Sequence, residues 1–178
     1  MASIRSTTRP EPLPVRIRDE CESDVGAIAS LITHAFLTAE HADGNEAAIV
    51  AALRAADALS VSLVAESDGV LTGHIAFSPV LVDGRDAGWF GLGPLAVAPE
   101  HRHHGAGAAL VRQGLARLRA AGASGCVVLG DPDYYARFGF APDPALVLPD
   151  VPTPYFQALR FDNAEGAGIV TYHPAFAG

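Results

Sequence analysis

A chain of 178 residues is about one domain long, and folding at that length buries roughly 70% of the unfolded surface, so a core needs no metal or disulfide staple. With 49% hydrophobic and 18% charged residues it is neither disordered nor low-complexity. Twelve basic against 20 acidic residues leave a net charge of −8, which repels phosphate backbones, disfavours a duplex nucleic-acid binder and more easily accommodates a cationic small molecule.

Residues 1–14 carry Arg5, Arg9 and three prolines but no apolar stretch, so they read as a disordered lead-in and not as a signal peptide. No apolar run approaches the ~18–20 residues of a membrane span. Cys21 and Cys126 are isolated thiols, which fits a reduced, cytoplasmic protein better than a disulfide framework. No repeat or linker divides residues 15–178, which are expected to form one domain.

Residues 15–18 alternate and predict a first strand. Ser23 or Asp24 then caps a helix whose buried face carries Val25, Ile28, Ile32, Ala35 and Phe36. After the Asp43-Gly44 turn, Asn45 caps a second helix through Ile49 and Leu53 to Ala56. Strands follow at 61–66, 70–82 and 89–97, joined by Asp68-Gly69 and Asp83-Gly84, both strong hairpin signals. The spacing of Leu110, Leu115, Leu118 and Ala121 predicts a helix over 101–121 that stops at Gly122. Residues 126–129 are wholly apolar, as a central strand covered on both faces should be. Asp131-Pro132 looks like an N-cap with proline in the first helical position, opening a short helix through Tyr134, Tyr135 and Arg137. Residues 155–161 and 168–173 read as a final pair of strands. The fold class is mixed α/β (α+β).

The chemistry-bearing segment lies where the 89–97 strand runs through a glycine-bearing turn into the next helix. Gly105 and Gly107 remove side chains where N–H groups of the first turn can face an anion, and the helix dipole and Arg102 add positive charge. That is a phosphate or pyrophosphate site; the plainer alternative is a tight, closely packed turn. The dinucleotide fingerprint and the P-loop both fail, since the first needs a different glycine spacing and the second a Gly-Lys-Ser or Gly-Lys-Thr that is missing.

Arg102-x-x-Gly105-x-Gly107 behind Leu95-Ala96-Val97 resembles the Arg/Gln-x-x-Gly-x-Gly/Ala signature of the GNAT superfamily of acyl-CoA-dependent N-acetyltransferases. Thirty residues after Gly105, Tyr135-Ala136-Arg137-Phe138-Gly139-Phe140 resembles that superfamily's Tyr-x-x-x-Gly-Phe element. The ending Tyr172-His173-Pro174-Ala175-Phe176 is similar to a bacterial branch of it. The resemblance implies a mostly antiparallel sheet with a splayed central strand pair and helices on both faces. It further implies that pantetheine inserts in the splay against the backbone of Leu95, Ala96 and Val97, with an N–H near Val97 on the thioester carbonyl. Amides of Arg102, His103, His104, Gly105, Ala106, Gly107 and Ala108 would hold the pyrophosphate. Acetyl-CoA is the implied co-substrate, an amine attacks it directly, and Tyr135 protonates the departing thiolate.

No general base is assigned. Asp131 reads as a plain N-cap, His74 on the third strand as a half-buried histidine, and the 89–98 strand holds no ionisable residue. Glu40 and His41 are candidates for the acceptor site by family analogy, against a solvated loop. Trp89 and Phe90 would be its apolar wall or core. Tyr134 is packing or a cofactor contact. His101, His103 and His104 lack the i,i+4 spacing of a helical zinc pair, so no metal is expected. The expected partner is a small, cationic amine acceptor, with no nucleic acid and no membrane; a homodimer is left open. The alternative to the enzyme is a catalytically weak acyl-CoA-binding sensor of the same fold.

Overall fold

Both Asp–Gly pairs form hairpin turns with positive φ at each residue, +52° and +74° at Asp68 and Gly69 and +49° and +72° at Asp83 and Gly84. That is the type I′ geometry whose twist matches the strands it joins. The computed structural model describes residues 14–37, 39, 42–162 and 164–177. The expected lead-in therefore lies almost wholly outside the described residues, as do Glu40 and His41.

The elements in chain order are β1 (Arg16–Asp19), α1 (Val25–Phe36), α2 (Glu46–Ala55), β2 (Val61–Ser67), β3 (Val70–Val82), β4 (Arg85–Val97), α3 (Ala106–Ala120), β5 (Gly125–Leu129), α4 (Pro132–Tyr135), β6 (Leu146–Val147), β7 (Phe156–Arg160) and β8 (Gly168–Thr171). The sheet runs β1-β2-β3-β4-β5-β7, antiparallel throughout except for the parallel β4–β5 pair. β8 joins β3 at Leu81 and Val82, beyond the end of β2, and β6 pairs with β8.

α3 packs on one face through Leu110, Leu115 and Leu118, over Leu63, Ile75 and Phe77. α1 and α2 cover the other face through Ile28, Ile32 and Val50. A third cluster around Trp89, Val80, Val127 and Phe156 closes the β7–β8 end. This is the mixed sheet with helices on both faces that was expected, and no helix among the described residues is long and apolar enough to cross a membrane.

Four local expectations need correction. α3 starts at Ala106, not 101, because His103 (φ +63°) and Gly105 (φ +88°) are left-handed and cannot belong to an α-helix. Asp24 does not cap forward; its carboxylate accepts from the Cys21 N–H at 2.8 Å and from Arg18 Nη1 at 2.6 Å, after a short 3₁₀ turn. Asn45 makes no side-chain cap, and Glu46 instead accepts from the Asp43 N–H at 3.0 Å. The last two long strands are not partners, since β7 borders β5 and β8 borders β3. Arg160 explains the parting: anchored on Asp143 at 2.7 Å, it donates to Ala164 O and Gly166 O and bends the chain away from β7.

α3 sits close on the sheet because Gly114 has no side chain. A Cβ there would overlap the Phe77 ring, which is itself fully buried. Gly114→Ala should therefore destabilise by about 1–3 kcal/mol through overpacking, against the ~1 kcal/mol that alanine gains in a helix. Urea denaturation reads the sign; a more stable variant would show that propensity outweighs the contact.

Candidate active site

The site begins with an irregularity in β4. Between the pairs Ile75↔Leu95 and Phe77↔Leu92, β4 spends one residue more than β3, a bulge at Gly93 and Pro94. Proline has no N–H to give a ladder, so a Gly-Pro step inside a strand is where pairing breaks. On its other side β4 pairs with β5 only from Trp89↔Gly125 to Leu92↔Val128, and then the two strands part. The splay expected from the family resemblance is therefore present. Ala98 N–H donates to Thr72 O at 2.9 Å. By antiparallel alternation Ala96 also turns its backbone to β3, while Leu95 and Val97 turn theirs into the gap.

Next along the chain, the left-handed His103 and Gly105 fold the turn so that α3 opens toward that gap. The first α3 bond is Ala109 N–H to Gly105 O at 3.0 Å, so the N–H groups of Ala106, Gly107 and Ala108 have no backbone partner among the described residues. No side chain caps them either. Arg102 is not a free cation beside this turn. Its Nε donates to Val97 O at 3.3 Å and its Nη2 to Ala35 O at 2.6 Å, tying β4, the loop and the end of α1 together.

Two cavities meet here, sharing Phe36 and Leu95. The first, about 500 Å³, is lined by Leu95, Ala96, Val97, His101, Arg102, His103, Gly105, Ala106, Gly107, Ala108 and Tyr134. His104 is exposed and does not line it. The second, about 800 Å³, is bounded by Leu92, Gly93, Pro94, Tyr135, Tyr172, His173 and Phe176, with Asp43 and Glu46 among its lining. Adjacent tyrosines thus serve different cavities. Tyr135 stands over Gly130, where a Cβ would come within 2.6 Å of its ring, and meets Phe140 edge-on at 5.8 Å. Burial pushes its hydroxyl above the ordinary phenol value, and the neighbouring Tyr134, Cys126 and Asp131 add to the rise.

Residues 19–140 match the Acetyltransferase (GNAT) family. The chain belongs to the GNAT acetyltransferase family. The activity class that goes with it is acyl-CoA-dependent N-acetyl transfer. The chain is 42% identical over 125 residues to the N-acetyltransferase YhbS of Escherichia coli K12, covering 70% of this chain and 72% of YhbS. In structure it is similar to a GNAT acetyltransferase of Brucella melitensis in complex with acetyl-CoA, with a TM-score of 0.82, 47% identity and coverage of 92% and 98% of the two chains. It is likewise similar to E. coli YhbS in complex with CoA, with a TM-score of 0.84, 36% identity and 96% of each chain covered.

Within this GNAT fold several candidates lie away from the site. Asp131 caps α4, accepting the Asp133 N–H at 2.9 Å. Trp89 is fully buried in the third core cluster and Phe90 packs on the first, so neither walls a cavity. Among the described residues no group of His, Cys, Asp and Glu could hold a metal ion. The cavity residues Asp43, Tyr172 and His173 escaped sequence reasoning. The Tyr172-His173-Pro174 wording hinted at the last two, which β8 brings back by long-range pairing, and nothing hinted at Asp43, which precedes α2.

His74 is fully buried, not half-buried, and belongs to a network beneath α2. Its Nε2 lies 2.8 Å from Ser62 Oγ, which donates to Glu20 at 2.5 Å, and Arg54 grips Glu20 with two 2.9 Å bonds. Burial alone would raise the Glu20 carboxyl, but the bonds from His74, Arg54 and Ser62 prevail and hold it at about 2 against 4.5. A depressed folded value means that ionised Glu20 stabilises the fold above its unfolded value and loses that effect as pH falls. Glu20→Gln should be less stable than the parent at neutral pH, and the two stabilities should converge between about pH 5 and about pH 2. Denaturation curves at stepped pH check this; a constant difference would remove Glu20 from the acid transition.

Proposed function

We propose that this chain moves an acetyl group from acetyl-CoA directly to the primary amine of a small, cationic acceptor. The observation that carries the reading is the pair of cavities joined at Leu95, one below an open helix N-terminus and the other holding Tyr135. The Brucella and E. coli relatives bind acetyl-CoA and CoA, which supports the same ligand here. In this reading the N–H groups of Ala106, Gly107 and Ala108 take the pyrophosphate. The gap-facing backbone of Leu95 and the N–H of Val97 take the pantetheine amides, with Ala96 contributing wall and no bond. Asp43 and Glu46 draw the cationic acceptor into the second cavity. Two unpaired thiols suit work in the cytoplasm.

The amine lone pair forms the N–C bond while the carbonyl π pair moves to oxygen. Its return expels sulfur with the C–S pair, and the Tyr135 hydroxyl gives sulfur a proton. The ammonium formed gives its own proton to water, and the phenolate is reprotonated from solvent. The net products are an amide and a thiol. Because its hydroxyl titrates above the usual phenol value, Tyr135 holds its proton through neutral pH and is a donor, not a base. His173 supplies no base: its Nδ1 accepts the Ala175 N–H at 3.1 Å, so the neutral ring carries its proton on Nε2.

Two variants test the parts. A Cβ at Gly107 would lie 2.9 Å from Tyr134 Oη and 3.4 Å from Val97 Cγ2. Gly107→Val should therefore fill the pyrophosphate end of the first cavity. Losing two charge-assisted hydrogen bonds at about 1.5–3 kcal/mol each weakens CoA binding more than about a hundredfold. Calorimetric titration with CoA, with circular dichroism as the control for folding, measures it; unchanged affinity moves the cofactor elsewhere.

Tyr135→Phe keeps the ring and deletes the proton. With polyamines, aminoglycosides, amino acids and peptide N-termini as acceptors and free thiol as the readout, kcat should fall about 10²–10⁴-fold at unchanged CoA affinity. The parent should show no alkaline loss of kcat from this group below about pH 10. No turnover with any amine in the parent would defeat the transferase reading, and an active Tyr135→Phe would defeat only the role of Tyr135.

A further inference from the structure

Tyr172 carries a polar group that the fold leaves without a partner. Its hydroxyl is buried and makes no hydrogen bond among the described residues. Leaving β8, where Thr171 stands opposite Leu81, the chain brings the Tyr172 ring over Gly91. A Cβ at Gly91 would lie 2.6 Å from its Cε1 and 3.2 Å from its Cδ1, so the missing side chain makes the seat. Phe176 holds the ring from the side, edge-on at 5.1 Å. Gly91 pairs with Val127, one rung before the last pair of β4 and β5. The ring therefore sits where the strands begin to part, and it lines the second cavity with Tyr135 and Leu95.

The two tyrosines approach this point from opposite faces. Tyr135 packs against the cluster under α3, and Tyr172 against the Trp89, Val80 and Val127 cluster. Burial raises the Tyr172 hydroxyl above the ordinary phenol value, with Cys126 and Tyr135 near enough to add to the shift, so it remains a neutral donor. A buried hydroxyl without a partner is a standing cost that phenylalanine would avoid. Its partner should be a group that arrives with a ligand and reaches into the splay. A thioester that enters the gap between β4 and β5 brings a carbonyl acceptor to the end of the splay that the Tyr172 ring lines.

We infer that the Tyr172 hydroxyl donates a hydrogen bond to the acyl carbonyl oxygen of the bound thioester, from the face opposite Tyr135. This rests on the acetyl-transfer reading. As nitrogen bonds to the carbonyl carbon and the π pair moves to oxygen, the hydrogen bond strengthens, and Tyr172 keeps its proton throughout. When the pair returns and the C–S bond breaks, the contact relaxes to that of a neutral amide.

Tyr172→Phe is the test, read in three ways. Turnover should fall about 10²–10³-fold, the scale of one lost oxyanion donor, with KM for the amine unchanged. Thermal stability should hold or rise, because an orphan polar group is removed. In calorimetry the parent should bind acetyl-CoA more tightly than S-ethyl-CoA, which has no carbonyl, and the variant should lose that preference. A preference that survives in Tyr172→Phe overturns the contact, as does a variant with parental kcat or one whose activity and stability fall together. If the parent turns over no amine yet shows a carbonyl preference that the variant loses, acetyl transfer to amines fails and the Tyr172 contact stands.

Discussion

A strand edge inside a sheet must find hydrogen-bond partners, and past Leu92 β4 has no strand on its β5 side to supply them. Its bulge at Gly93 and Pro94 turns it away from β5 after Leu92, leaving the backbone of Leu95 and the N–H of Val97 facing a gap, while Val97 O takes the Arg102 guanidinium. Unpaired backbone groups away from water are costly, so such an edge is one that an added extended segment can pair with. The rest of the architecture is arranged around that edge. β3 holds it in register on one side, and the turn into α3 begins directly at its end.

Arg102 shows how tightly the parts are coupled. A guanidinium beside an open helix N-terminus would by itself suggest a phosphate ligand, but here it joins Val97 O to Ala35 O. One side chain thus fixes the end of β4, the turn and the C-terminal end of α1, where free carbonyls favour a cation. The donors left open at the turn are backbone N–H groups, which cannot swing away. Their direction is set by the left-handed His103 and Gly105 and needs no further side chain.

The features legible in the sequence were those fixed by a few neighbouring residues. Asp68-Gly69 and Asp83-Gly84 specify type I′ turns by their own φ angles, and Asp131-Pro132 specifies a helix start. The glycine-bearing turn was placed correctly for the same reason, although apolar spacing alone put the start of α3 five residues early, since periodicity does not register a left-handed residue. The second cavity was scarcely legible. Its walls come from the start of α2, the middle of β4, α4 and the segment after β8, and only sheet pairing brings these together. The Gly93-Pro94 step was the overlooked local signal: a proline inside an apolar strand marks a break in pairing.

The division of labour between Tyr134 and Tyr135 depends on the register of a single turn of helix. Successive residues of a helix point about 100° apart, which turns Tyr134 to the first cavity and Tyr135 to the second, and shifting α4 by one position would exchange their places. The ends of the turn are accordingly pinned. Asp131 accepts the Asp133 N–H at 2.9 Å, Pro132 fixes the first φ, and Gly139 at φ +94° stops the 3₁₀ turn that follows. From below, Gln157 on β7 donates to Gly130 O at 3.2 Å, holding the step from β5 into α4. Gly130 in turn leaves the space that the Tyr135 ring fills. Placing one phenol at the splay thus draws on a capping carboxylate, a proline, two glycines and a buried amide from three separate stretches of chain. The Tyr135 phenol is positioned by the backbone around it as much as by its own side chain.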